Sequence, residues 1–167
     1  GVPGIPVSGI KYDSREVMPG DLFIAVRGLV RDGHDFIESA IGKGAVAVVC
    51  EEAFPASPVP MIVINDTRRA LPRLAAKFYD HPTESLCMVG VTGTKGKTTT
   101  TNLIRSILIE AGYRVGLVGT ISSIVGDVER PSRLTTPESA DLQSLFADMV
   151  RCNTTHAVME VSSIAID

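Results

Sequence analysis

The chain has 167 residues, 16 basic and 19 acidic side chains, a net charge of −3 and 44% apolar residues. That length suits one large domain or two small ones whose cores need no disulfide. The composition excludes a disordered chain and a basic, dedicated nucleic-acid binder. The longest apolar run, Ala45 to Cys50, is six residues, far short of the roughly 20 that cross a bilayer, so no membrane insertion is expected.

In chain order, the first six residues have neither the basic segment nor the apolar stretch of a signal peptide. The missing initiator Met leads us to expect a processed or shortened chain. Val7 to Asp13 can form a strand, and Pro19-Gly20 marks a turn. Asp21 to Val26 is rich in β-formers and predicts a strand. Gly28 to Asp35 is a polar loop. Phe36, Ile37, Ala40 and Ile41 recur at helical spacing until Gly42 and Gly44 stop them. Ala45 to Cys50 and Met61 to Ile64 predict buried strands, separated by a proline-rich loop. Asn65 to Thr67 offer caps for a helix carrying Leu71, Leu74, Ala75 and Phe78. Pro72 is expected in the first turns of that helix, where a missing N–H is tolerated.

Asp80 to Ser85 is polar and holds a proline, which makes it the expected boundary between residues 1–82 and 83–167. Beyond it, Leu86 to Val91 predicts a buried strand and Thr92 to Gly96 a glycine loop. The next helix has Leu103, Ile104, Ile107, Leu108 and Ala111 as its expected inner face and Gly112 as its stop. Tyr113 to Val118 predicts a strand, which Thr120 to Val125 can extend. A helix from Thr136-Pro137-Glu138 turns Leu142, Leu145, Phe146 and Met149 inward, and His156 to Val161 closes the chain as a strand. Strands alternating with helices predict an α/β fold, a small first domain followed by a phosphate-loop-type domain with a parallel sheet. The strand–loop–helix–strand order predicts that the strands flanking the glycine loop and its helix are parallel neighbours.

The sharpest chemical signal is Gly93-Thr94-Lys95-Gly96-Lys97-Thr98-Thr99, set between a strand and an amphipathic helix. Glycines let successive N–H groups turn inward, and the helix N-terminus behind them carries partial positive charge. Lys97 is placed to reach terminal phosphates and Thr98 to offer its hydroxyl to Mg²⁺. Val91 stands where the usual pattern begins with glycine, so the loop is a variant. The plainer reading is a glycine turn with an incidental lysine. Glu160, near the end of an apolar strand, needs a partner, either Mg²⁺ or a lysine or helix end. Ser162 and Ser163 follow it as hydroxyl donors. Thr136, Pro137 and Glu138 suit a helix cap, with Thr136 capping, and such a cap can also face a ligand with Thr135 and Thr136. Asp13-Ser14-Arg15 reads as a polar turn, and His34 as a surface or packing residue. Cys50, Cys87 and Cys152 form no CxxC pair, which argues against structural zinc and for buried, reduced thiols in a cytoplasmic protein.

Tyr12 to Arg15, Pro19 to Phe23, Asp32 to Phe36, Val91 to Thr99, Thr135 to Pro137 and Met159 to Ser163, in that order, resemble the Mur ligase family. The loop variant also occurs in the wider superfamily that includes folylpolyglutamate synthetases. The Asp-Ser-Arg and Asp-Gly-His strings resemble the branch that adds the third peptide residue of peptidoglycan precursors. The resemblance implies a fold with a C-terminal amino-acid-binding domain, absent here, and an ATP-dependent acid–amino-acid ligase. In that reaction a carboxylate attacks the γ-phosphate of ATP, and an amine attacks the resulting acyl phosphate. It implies ATP on Gly93 to Thr99, Lys97 as the catalytic group, and Mg²⁺ on Thr98 and Glu160. The UDP part of a UDP-N-acetylmuramoyl-dipeptide would lie on Ser14, Leu29, Val30 and Arg31, and its muramoyl-peptide part on Thr135, Thr136 and Ser162. The incoming amino acid would be diaminopimelate or lysine. Ile164 stands where the family carries a His that serves a second Mg²⁺. The chain ends before the lysine that the family carbamylates, so these residues alone are expected to be inactive in ligation, with an unpaired sheet edge prone to association. Two other readings are a GTPase-type switch, for which the Asn/Thr-Lys-x-Asp string is lacking, and a non-catalytic UDP-sugar-binding module.

Overall fold

The computed structural model describes residues 4–28, 31–53, 56–132 and 134–162. The chain divides into two units, the first ending at Phe78 and the second starting at Tyr79.

In the first unit, four parallel strands lie side by side in chain order: β1 (Gly9–Lys11), β2 (Asp21–Ile24), β3 (Ala47–Cys50) and β4 (Met61–Val63). Alternation along the strands sends Phe23 and Val48 to one face. There they pack with Ile37 and Ala40 of α1 (Ile37–Gly42), which a 3₁₀ turn (Gly33–Phe36) precedes. Leu22 and Val49 face the other way, toward Ala70 and Leu74 of α2 (Thr67–Phe78), across a cleft of about 400 Å³. Asp66 accepts the Arg69 N–H at 2.8 Å and so caps α2. Pro72 lies inside the helix, within its first turns as expected but past the positions where a missing N–H is tolerated. It removes one bond of the helical ladder. β4 was expected to be buried, yet it is a sheet edge: Ile62 and Val63 are 40% and 52% exposed. An apolar run carries no information on which strand will be outermost.

The second unit has β5 (Cys87–Thr92), α3 (Lys97–Glu110), β6 (Val115–Val118), β7 (Ser122–Val125), β8 (Val128–Pro131), α4 (Ser139–Arg151) and β9 (His156–Val161). The sheet order is β5-β9-β6-β7-β8. β5 and β6, expected as neighbours, are separated by β9, which pairs in parallel with both. The reach of the α3 crossover allows that gap, and the later strand fills it. Residues 122–125 do not extend β6. They fold back antiparallel to it and continue through Gly126-Asp127 into β8, an element not expected. A Gly-Asp pair between two short β-forming runs is a hairpin signal.

β5 is an edge strand and is half-exposed rather than buried. Helix α3 was expected to bury Leu103, Ile104, Ile107, Leu108 and Ala111 together. Instead it turns Thr101, Ile104 and Leu108 inward, the last two against Leu117 and Val158, and leaves Leu103 and Ile107 59% and 67% exposed. Gly112 takes φ 88° after the helix, as a stop requires. Phe146 and Met149 of α4 are buried against Val118 and Ala157. Of the three cysteines expected to be buried, Cys50 is, while Cys87 and Cys152 are exposed. Cys87 opens the edge strand and Cys152 follows the last turn of α4, and neither place is covered.

Candidate functional site

Strand β5 delivers the chain at Thr92 into a loop that only glycine accommodates at two points, Gly93 at φ 147° and Gly96 at φ 80°. Gly96 is the N-cap of α3 and supplies no side-chain cap. Helical bonding begins with the Thr100 N–H to the Gly96 carbonyl at 2.9 Å. The N–H groups of Lys97, Thr98 and Thr99 therefore have no acceptor within the helix, and the helix dipole adds positive potential there. The Lys97 ammonium folds back across the loop and donates to the Gly93 carbonyl at 2.7 Å. Thr94, Lys95 and Thr99 are exposed, while Thr98 is half-buried.

Thr98 faces the sheet, where its hydroxyl donates to Glu160 Oε1 at 3.0 Å. Glu160 is 1% exposed and lies opposite Val91 in the β5–β9 register, so the carboxylate arises beside the strand that enters the loop. The Thr120 N–H donates to Oε1 at 3.0 Å, and the Thr120 hydroxyl to Oε2 at 2.9 Å. Among the described residues no lysine or arginine pairs with Glu160. Three neutral donors meet the need of a buried acceptor while leaving the charge uncompensated. The donor set is one alcohol oxygen beside one carboxylate. Mg²⁺ takes such hard oxygens, one or two carboxylates at a time, with waters and phosphate completing its shell. No cluster of three or more His, Cys, Asp and Glu that could hold a metal occurs among the described residues, so the residues present fit Mg²⁺ rather than a protein-caged ion.

Gly119 and Thr120 were not expected at this site. A Cβ on Gly119 would lie 2.8 Å from Glu160 Oε1, so glycine at the β6 terminus lets the chain wrap the carboxylate without displacing it. The sequence signal was a Gly-Thr pair at a strand end, which carries no spacing rule.

Thr120 Oγ1 also lies 3.1 Å from Thr135 Oγ1, joining Glu160 to the segment before α4. Thr136 was expected to cap that helix, but Glu138 is its N-cap, without a side-chain bond. The Thr136 hydroxyl donates instead to the Glu160 carbonyl at 3.2 Å and accepts the Ser162 N–H at 3.0 Å. The start of α4 is thereby tied to the end of β9. Thr135, Thr136 and Ser162 line one open cavity of about 550 Å³. Ser163 and Ile164 lie outside the described residues.

In the first unit, Ser14 is buried and Arg31 lines the same cavity of about 390 Å³, with Tyr12, Asp13, Arg15 and Phe36. Asp13 accepts bonds from the Arg15 main chain and guanidinium, at 2.6 to 3.1 Å. The guanidinium bond holds its carboxyl below the usual carboxylate range. Leu29 and Val30 lie outside the described residues. The remaining expected residues thus fall into three groups: the loop with Glu160, the Thr135–Ser162 cavity, and the Ser14–Arg31 cavity.

Comparison with known proteins then gives a context for these groups. Residues 91–167 match the Mur ligase middle domain and residues 6–79 the model described as Mur ligase family, catalytic domain. The chain is 44% identical over 160 residues to UDP-N-acetylmuramoyl-L-alanyl-D-glutamate--2,6-diaminopimelate ligase 1 of Clostridium acetobutylicum, spanning 95% of this chain and 33% of that protein. It is 47% identical over 160 residues to the 2,6-diaminopimelate ligase of the same type from Halalkalibacterium halodurans, spanning 96% and 33%. Among solved structures, a UDP-N-acetylmuramoyl-L-alanyl-D-glutamate--2,6-diaminopimelate ligase is similar at 27% identity and a TM-score of 0.75, over 96% of this chain and 33% of that one. The MurF ligase of Thermotoga maritima in complex with ADP is similar at 27% and 0.64, over 97% and 34%. The chain spans about a third of the length of these relatives.

Proposed function

The chain belongs to the Mur ligase family, and on that premise we propose that it forms the substrate- and ATP-binding part of a cytoplasmic ligase of peptidoglycan precursor synthesis. The reaction is the ATP-dependent addition of a third amino acid to UDP-N-acetylmuramoyl-L-alanyl-D-glutamate. The names of the relatives support diaminopimelate over lysine as that amino acid. We assign residues 1–82 to UDP-substrate binding and 83–167 to the ATP-binding domain.

The loop from Gly93 to Thr99 cradles the triphosphate with its N–H groups, and Lys97 neutralises charge on the phosphoryl group in transfer. Such a step is carried by positioning and electrostatics. Thr98 and Glu160 hold Mg²⁺, which supplies further charge neutralisation on the phosphates. Thr135, Thr136 and Ser162 orient the muramoyl-peptide end, whose carboxylate must meet the γ-phosphate. Ser14, Leu29, Val30 and Arg31 receive the UDP end. One observation carries the reading: the hydroxyl that follows the loop lysine rests 3.0 Å from a carboxylate buried at the end of the neighbouring strand.

Calorimetric titration with ATP, GTP and UDP-N-acetylmuramoyl-dipeptide tests it. ATP and the muramoyl ligand bind and GTP binds more weakly. A preference for GTP, the mark of a nucleotide switch, or no affinity for the muramoyl ligand overturns the proposal. Binding of the UDP ligand without ATP leaves only a sugar-nucleotide module.

A further inference from the structure

The Asp32-Gly33-His34 string follows β2 in the first unit. The segment that leaves β2 closes on itself at a narrow neck. The Gly28 N–H donates to the Arg31 carbonyl and the Gly33 N–H to the Val26 carbonyl, both at 2.9 Å, and Arg27 bridges Asp32 across the neck. A Cβ on Gly33 would lie 2.6 Å from the Val26 nitrogen, so the two sides approach as only glycine allows.

Three side chains fasten this neck to the sheet. Asp32 Oδ1 accepts the His34 N–H at 3.0 Å and lies 2.6 Å from His34 Nδ1. The Glu51 N–H, just past β3, donates to His34 Nε2 at 2.8 Å. A main-chain N–H can only donate, so Nε2 is bare and the ring proton sits on Nδ1, given to Asp32. Arg27 lies between three carboxylates, 3.2 Å from Asp32, 3.4 Å from Glu51 and 2.6 Å from Glu52. Glu51 is itself held by the N–H and hydroxyl of Thr67, at 3.0 and 2.9 Å. The fastening therefore runs from β2 through the neck to β3 and on to α2.

His34 does not line the 390 Å³ cavity, but Val26, Arg31, Gly33 and Phe36 on either side of it do, opposite Ser14. This is the C-terminal edge of a parallel sheet, where α/β folds bind ligands. We infer that His34, locked by Asp32, Arg27 and the Glu51 N–H, is a positioning residue that sets Arg31 against Ser14 for the uridine-diphosphate end of the substrate. The inference rests on the reading above that this cavity receives UDP.

The test is calorimetric binding of UDP and of ATP to the wild type, His34→Ala and His34→Gln, with ¹⁵N spectra of the His34 ring. Gln places an acceptor oxygen near the Nε2 position. His34→Ala is expected to weaken UDP binding about tenfold, the scale of one or two lost hydrogen bonds, and to leave ATP binding unchanged. Gln is expected to restore most of the loss, and the wild-type spectrum to show a protonated Nδ1 beside a bare Nε2. If His34→Ala does not fold, His34→Asn, which keeps the donor toward Asp32 and loses the Glu51 contact, is read in its place. An unchanged UDP affinity in a variant whose parent binds UDP overturns the positioning role, as does a proton on Nε2. A wild type that does not bind UDP overturns the cavity assignment itself, and this inference falls with it.

Discussion

At the scale of single residues, the proposed site depends on two charges, the Lys97 ammonium and the Glu160 carboxylate. Lys97→Ala removes a charge-assisted bond to phosphate, worth about 1.5–3 kcal/mol, so ATP affinity should fall roughly 10- to 100-fold in a direct titration. An unchanged affinity takes Lys97 out of the loop's function. Gly119→Ala sets a methyl 2.8 Å from Glu160 Oε1. The carboxylate must shift, and overpacking of this kind costs about 1–3 kcal/mol, which urea unfolding will register. Ordinary stability in Gly119→Ala contradicts the tight wrap around Glu160. Lys97, Thr98 and Glu160 were legible in the sequence because a glycine loop between strand and helix, and a carboxylate in an apolar strand, are each anomalous on local grounds. Gly119 and Thr120 were not, because their importance comes only from a neighbour forty residues away.

At the scale of elements, Thr136 illustrates how a good local reading can be displaced by a tertiary one. A threonine before Pro-Glu at a helix start is a natural cap, yet its hydroxyl is taken up by the Glu160 carbonyl in β9 and the Ser162 N–H just past it. The two roles predict different substitutions. A cap tolerates Asp as well as Ser, whereas this link needs a group that donates to a carbonyl and accepts an N–H together. Thr136→Ser should therefore keep the wild-type unfolding midpoint, and Thr136→Asp should lose about 1 kcal/mol or more. Equal stability of Ser and Asp restores the capping role. Helix α3 shows a related limit. Its 3.6-residue period was readable, but the chain carries two apolar stripes, Leu103–Ile107 and Ile104–Leu108, and only the sheet beneath it selects the second. The insertion of β9 between β5 and β6 was likewise beyond reach, since strand order depends on which gap the last strand fills.

At the scale of the molecule, the two units present their chemistry at strand ends and differ in how charge supports them. The first holds Asp13, Asp32 and Glu51 below the usual carboxylate range, chiefly through hydrogen bonds from the Arg15 side chain, the His34 N–H and the Thr67 N–H. Folded values below unfolded ones mean that this stabilisation is complete above the unfolded values, near about 4, and is lost as pH falls through the folded ones. The carboxylates should make the urea midpoint of the first unit decline as pH falls below about 4. A midpoint that holds down to about pH 3 removes these carboxylates from the account. The α/β character of both units was legible in the alternation of strands and helices. The antiparallel rim of the second is marked in the sequence only by Gly126-Asp127, a hairpin signal between two short β-forming runs. That rim gives the sheet two unlike borders. Its β8 border carries Glu129, Arg130 and Pro131, which discourage a newcomer, whereas the β5 border, Cys87 to Thr92, has neither charge nor proline. Among the described residues β5 pairs with β9 alone, so a further strand added at that border would lie along the very strand that runs into Gly93.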